Sequence, residues 1–256
     1  MEFFYRLTPP VQALIATVIT WLITALGATP VFFFKHSGKK LLCAVMGLAA
    51  GVMLAASYFS LLAPAIDSAQ EQSIPPWLAL TLGFFGGGAI LYLGDKKMKS
   101  RLDNRASDPS RRSALLILSM TLHNIPEGMA IGVAFGYGGD VTAACLLALG
   151  IGLQNFPEGT AVALPLRAQG YSRKKSFLIS QLSGAVEPIS GVLGALLVMQ
   201  IRPLMPFLLS FAAGAMIYVV LAELIPESQN QDDASAAVLF TLIGFSVMML
   251  LDVALG

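Results

Sequence analysis

His123-Asn124-Ile125-Pro126-Glu127-Gly128 and Gln154-Asn155-Phe156-Pro157-Glu158-Gly159 are one phrase written twice, in consecutive long apolar segments. A helix sets residues three and four apart on one face, so His123, Asn124 and Glu127 point together, as do Gln154, Asn155 and Glu158. Each proline withholds an N–H from the ladder, so the carbonyls of Leu122 and Leu153 lose their usual partners and both helices are expected to break there. An imidazole, two carboxylates, three amides and loosened carbonyls facing one another make a poor packing surface and a good divalent-cation site.

The surroundings are apolar. Hydrophobic residues make up 56% of the chain and charged residues 12%, and the mean hydropathy is +0.74, which points to a polytopic membrane protein rather than soluble domains. A net charge of +1 argues against nucleic acid, which wants a strongly basic face. Cys43 and Cys145 lie in separate apolar segments without metal-ligand spacing and read as buried, inert thiols.

Stretches of spanning length recur at roughly 11–34, 41–63, 75–94, 113–136, 141–166, 174–200, 204–226 and 235–255. The reading is therefore all-α, with eight transmembrane helices, because in lipid only helices or closed barrels satisfy the backbone and no strand-like alternation occurs. The first stretch is too long for the apolar core of a secretory signal and is kept as a helix. Every Lys and Arg except Arg6 and Arg202 falls in the first, third or fifth connection. The positive-inside rule places those loops in the cytoplasm and both termini outside. The stretch from about Asp95 to Arg112 mixes both charge signs with Ser, Asp and Pro and reads as a mobile cytoplasmic loop. Glycine clusters at Gly83, Gly86, Gly87 and Gly88, and at Gly184, Gly191 and Gly194, mark close helix packing or the face of a homodimer.

Four acids lie in apolar helices: Glu127, Glu158, Glu187 and Glu223. Each costs ~2.5–3.5 kcal/mol at a helix centre, and no Lys or Arg lies within these helices near them, so the counter-charge is protons or a bound cation. Glu187 precedes Pro188, which again frees a carbonyl, at Gly184. Glu223 and Glu227 fall near the cytoplasmic end of the seventh helix, as a solvated mouth or as exit ligands. One imidazole with carboxylate and amide oxygens suits Zn²⁺, Fe²⁺, Mn²⁺ or Cd²⁺, and the lack of thiolate ligands argues against Cu⁺.

The two phrases on helices four and five, in an eight-helix chain with a variable loop after helix three, resemble the ZIP (Zrt/Irt-like protein) metal-ion transporters, most closely their prokaryotic GufA-like branch. The resemblance covers nearly the whole chain. It implies a single transmembrane transporter domain over 1–256, helices one to three and six to eight forming inverted repeats around four and five, and a binuclear site within the membrane. Carried over, the first metal position is His123, Glu127, Gln154 and Glu158 with Met53, which otherwise reads as core filling. The second is Asn124, Glu127, Asn155, Glu158 and Glu187, so Glu127 and Glu158 bridge. Asp67 and Asp252 fall at the outer mouth or are ordinary solvated acids. Many members carry a second histidine where this chain has Gln154, which softens a zinc-over-iron preference, and a histidine-rich third loop, which is absent here.

The expected function is uptake of a divalent transition metal, zinc and also iron, manganese or cadmium, across the cell membrane into the cytoplasm. The expected partners are the ion, the bilayer and a second copy of the chain; no resident cofactor and no enzyme activity are expected. The rival is an intramembrane metal-dependent hydrolase, for which the usual His-Glu-x-x-His arrangement is missing.

Overall fold

The computed structural model describes residues 2–34, 39–102, 109–138, 140–229 and 234–255, and all regular structure among them is helical. After a short turn, Glu2–Tyr5, helix α1 (Pro9–Ala28) opens on Pro9-Pro10, whose missing N–H groups cost nothing in a first turn. Helix α2 is interrupted: α2a (Lys39–Ala56) passes through a π-helical turn, Ser57–Leu62, into α2b (Ala63–Glu71). Helix α3 is Pro76–Leu102 and α4 is Pro109–Gly136. The chain leaves α4 at Gly138, whose φ of 78° suits glycine.

Helix α5 (Val141–Ala168) is capped by the Asp140 carboxylate, which accepts from the Thr142 N–H at 2.7 Å. Helix α6 comprises α6a (Arg173–Ser183) and α6b (Glu187–Gln200), joined by the 3-10 turn Gly184–Val186. Helix α7 comprises α7a (Met205–Val219) and α7b (Ile225–Gln229), joined by a π-helical turn, Val220–Leu224. Helix α8 is Ala234–Leu255. Among the described residues six stretches, in α1, α2, α3, α6, α7 and α8, are long and apolar enough to cross a membrane. The 28-residue α4 and α5, which carry the polar phrases, are not among these six.

Four long pairings build the bundle: α1 along α5, α6b along α4, α2a along α8, and α3 along α7a. Each pair closes at glycine. A Cβ built at Gly27 would overlap the Phe156 carbonyl, one at Gly132 that of Gly191, one at Gly51 that of Thr241, and one at Gly87 that of Phe211. With no side chain in the way the backbones meet and dispersion contacts replace the driving force that water would supply. The glycines singled out on α3 and α6 thus face partners within the chain at Gly83, Gly87, Gly191 and Gly194, while Gly86 has only the edge of Phe211 near it. Outward faces carry Trp77, Phe85, Leu193 and Val253, apolar surface that suits lipid.

Three expectations are corrected. Helices α4 and α5 do not break at Pro126 and Pro157; both run through. One lost N–H per proline is tolerated where neighbouring helices hold the rod from several sides, and the real interruptions lie in α2, α6 and α7. Of the solvated loop expected over 95–112, residues 95–102 lie in α3, which continues to Leu102 through good helix formers such as Lys96 and Lys97, and 109–112 lie in α4, which begins at Pro109; 103–108 lie outside the described residues. Cys43 is buried, but Cys145 is exposed on α5, beside a groove lined by Phe4, Ile15 and Ile19.

Candidate metal-transport site

Helices α4 and α5 turn their two phrases toward each other in the interior. His123, Asn124, Glu127, Gln154, Asn155, Glu158 and Glu187 are all buried, in a chain with no Lys or Arg between Ser113 and Leu166. A small cavity of ≈ 10 Å³ is lined by Met53, His123, Glu127, Gln154 and Glu158, with Ala49, Met120, Val219 and Leu224 around them. That is room for about one water-sized particle. The five residues grouped as the first metal position therefore share one cavity, although they come from three helices. Met53 reaches it from α2a, where Ser57 donates to the Met53 carbonyl at 2.7 Å as the π-helical turn begins.

The hydrogen bonds around the cavity are incomplete. Gln154 Nε2 donates to Glu127 Oε1 and, at 3.4 Å, to Asn155 Oδ1. Glu127 Oε2, Gln154 Oε1, Glu158 Oε1 and Asn124 Oδ1 are buried with no hydrogen-bond donor. Native interiors leave few such atoms, and three of these four oxygens belong to residues that line the cavity, Glu127, Gln154 and Glu158. Among the described residues no group of three or more His, Cys, Asp or Glu side chains is placed to hold a metal ion by itself, so any ion here would also need the amide oxygens or the Met53 thioether.

Asn155 and Glu187, expected in the second position, lie together behind the first. Asn155 Nδ2 donates to both Glu187 oxygens, at 3.0 and 3.1 Å. The sequence reading missed Thr20 of α1, whose hydroxyl lies 2.5 Å from Glu187 Oε2. Glu223, in the π-helical turn of α7, reaches His123, with Oε1 3.3 Å from Nε2. Glu227 is exposed on α7b.

Asp67 and Asp252 line one cavity of ≈ 360 Å³ with Glu71 and Asp140, where α2b, the α4–α5 junction and the end of α8 meet. Ser60 donates to Asp252 Oδ1 at 2.8 Å and Tyr137 to Glu71 Oε2 at 2.7 Å. That carboxylate holds the Tyr137 phenol above its usual range, since ionisation would remove the proton that is shared.

The ZIP zinc transporter family model matches residues 102–252. This chain belongs to the ZIP zinc transporter family. The zinc transporter ZIP11 of Bos taurus is 38% identical, with 97% of this chain and 98% of that protein aligned. The zinc transporter GufA of Myxococcus xanthus is 35% identical, over 95% and 98% of the two chains. The zinc transporter ZIPB of Bordetella bronchiseptica is 36% identical, over 91% of this chain and 78% of that one. The ZIP family match includes both motif helices, and it begins at the end of α3.

Proposed function

We propose that this chain moves a divalent transition metal, zinc foremost and Fe²⁺, Mn²⁺ or Cd²⁺ in competition, across the cell membrane into the cytoplasm through a binuclear site between α4 and α5. The observation that carries this reading is the buried cavity of Met53, His123, Glu127, Gln154 and Glu158 with its unpartnered oxygens. Uncompensated carboxylates at such depth are costly, and an ion of charge two removes the cost while it is bound. His123, Gln154 and Met53 hold the first ion, Asn124, Asn155 and Glu187 the second, and Glu127 and Glu158 serve both. The related zinc transporters support zinc as cargo, and one imidazole among oxygens supports its borderline competitors.

Eight crossings, the six apolar stretches together with α4 and α5, put both termini outside. The lysines and arginines of the first, third and fifth connections support this orientation. An inverted repeat of α1–α3 and α6–α8 is supported by the packing: exchanging α1 with α6, α2 with α7, α3 with α8 and α4 with α5 maps the four long pairings onto one another. In both α2 and α7 a π-helical turn is followed by a proline at the second residue of the next helix, Pro64 and Pro226. Ions arrive at the acidic cavity of Asp67 and Asp252, and Glu223 beside His123 takes the ion toward Glu227 and the cytoplasm. A hydrolase would need room for an organic substrate beside the metal, and the cavity has room for about one water-sized particle.

Uptake of zinc into proteoliposomes, with the ion as sole substrate and other divalent ions as competitors, tests the reading. Saturable uptake suppressed by Cd²⁺ or Fe²⁺ is expected. Vesicles that take up no more zinc than empty liposomes would overturn it.

A further inference from the structure

Thr17, Thr20 and Thr24 lie on one buried face of α1, a helix that brings no His, Asp or Glu to the site. Thr17 donates to the Ala13 carbonyl at 2.6 Å and Thr24 to the Thr20 carbonyl at 3.3 Å, the ordinary back-bonding of threonine in an apolar helix. Thr20 has a choice. Its single hydroxyl proton lies between the Thr17 carbonyl, 3.0 Å from Oγ1, and Glu187 Oε2, 2.5 Å from it. The carboxylate is the closer acceptor and, when ionised, the stronger. The backbone carbonyl of Thr20 also accepts from Asn155 Nδ2, at 3.4 Å. One threonine therefore touches both members of the Asn155–Glu187 pair.

From there the bonds continue. Asn155 Oδ1 accepts from Gln154 Nε2, which also donates to Glu127. The chain of contacts runs from α1 through α6b and α5 to α4, and Thr20 is its far end. We infer that Thr20 is a positioning residue for the second metal position, holding Glu187 as an oriented carboxylate through the contact of its hydroxyl with Oε2. The inference rests on the binuclear reading above. Asn155 reaches both Glu187 oxygens and Thr20 one of them, so the carboxyl group is already held in one orientation when a cation arrives. Partners that orient a metal ligand in this way typically matter about 10- to 100-fold in metal affinity.

The test is a zinc titration by calorimetry on the purified protein, alongside Thr20→Val, Thr20→Ser and Glu187→Gln, with thermal melting as the check of folding. Two ions on the wild type, one on Glu187→Gln, a second-site affinity about 10- to 100-fold weaker in Thr20→Val and near wild type in Thr20→Ser are expected. One ion on the wild type would overturn the binuclear reading and this assignment with it; two ions on both the wild type and Glu187→Gln would leave two sites standing and overturn the place of Glu187 in the second, and with it the role of Thr20. Loss of the second ion in Glu187→Gln with second-site affinity unchanged in Thr20→Val would overturn the role of Thr20 alone. Equal weakening in Thr20→Val and Thr20→Ser would also overturn it, since serine keeps the hydroxyl and loses only the methyl. If Thr20→Val does not fold, Thr20→Ala takes its place with the same reading of outcomes.

Discussion

Glu127 and Glu158 stand on facing helices, each with a buried oxygen that has no donor. In the binuclear reading proposed above each serves both ions, and a shared ligand has no neighbour to replace it. Removing a carboxylate that compensates a buried ion leaves that ion short of charge, and breaking a buried charge pairing typically costs ~3 kcal/mol or more, which corresponds to roughly a hundredfold. Glu127→Ala and Glu158→Ala, each confirmed folded by size exclusion, are therefore expected to lower zinc uptake in proteoliposomes by about a hundredfold or more; uptake near wild type from either variant would remove the bridging role. These two acids, His123 and Gln154 were legible in the sequence because three-and-four spacing fixes a shared face whatever the tertiary fold. Thr20 was not, since a threonine bonded to its own helix and one bonded to a carboxylate look alike in sequence. The contact of Glu223 with His123 was also invisible, because it depends on how α7 lies against α4.

Neighbouring glycines on α3 have opposite surroundings. A Cβ at Gly87 would overlap the Phe211 carbonyl, whereas one at Gly86 meets only a Phe211 ring carbon at 3.9 Å. Overfilling a tight contact costs ~1–3 kcal/mol, and alanine in an open helical position gains ~0.5–1 kcal/mol over glycine. Gly87→Ala is thus expected to lower the melting temperature in detergent, and Gly86→Ala to leave it unchanged or raise it. Similar shifts for both would mean that α3 does not close on α7 as described. Helix extents were largely readable from apolar runs, but three features of the elements were not. Continuity through Pro126 and Pro157 is imposed by neighbouring helices. A π-helical turn leaves no mark of its own in the sequence, although Pro64 and Pro226 stand just beyond the turns in α2 and α7. The charged end of α3 looks like a loop by composition and like a helix by propensity, and in this chain propensity prevails as far as Leu102.

Across the whole molecule the acids are distributed unevenly. Asp67, Glu71, Asp140 and Asp252 converge on one cavity although they come from three separate stretches of the chain. A concave wall of one sign raises the local cation concentration, and salt screens it over ~8 Å at physiological strength. The double variant Asp67→Asn with Asp252→Asn is expected to raise the half-saturating zinc concentration at low ionic strength and to differ less from wild type in high salt. Identical saturation curves at both salt concentrations would exclude a concentrating role. Which helices pair was unreadable from the sequence, because apolar faces of similar composition can meet in many ways and the selection falls to close glycine contacts and to hydrogen bonds such as that from Thr160 to the Gly27 carbonyl. The exposed thiol of Cys145 has a practical outcome. With Cys43 buried, a maleimide dye added in detergent has a single attachment point without any mutation. It sits about nine residues before Gln154 on the same helix, or ~13 Å along the axis. A coloured ion such as Co²⁺ binding beside Gln154 would quench that dye through energy transfer, and a chelator would restore the emission, so the native chain carries its own optical gauge of occupancy.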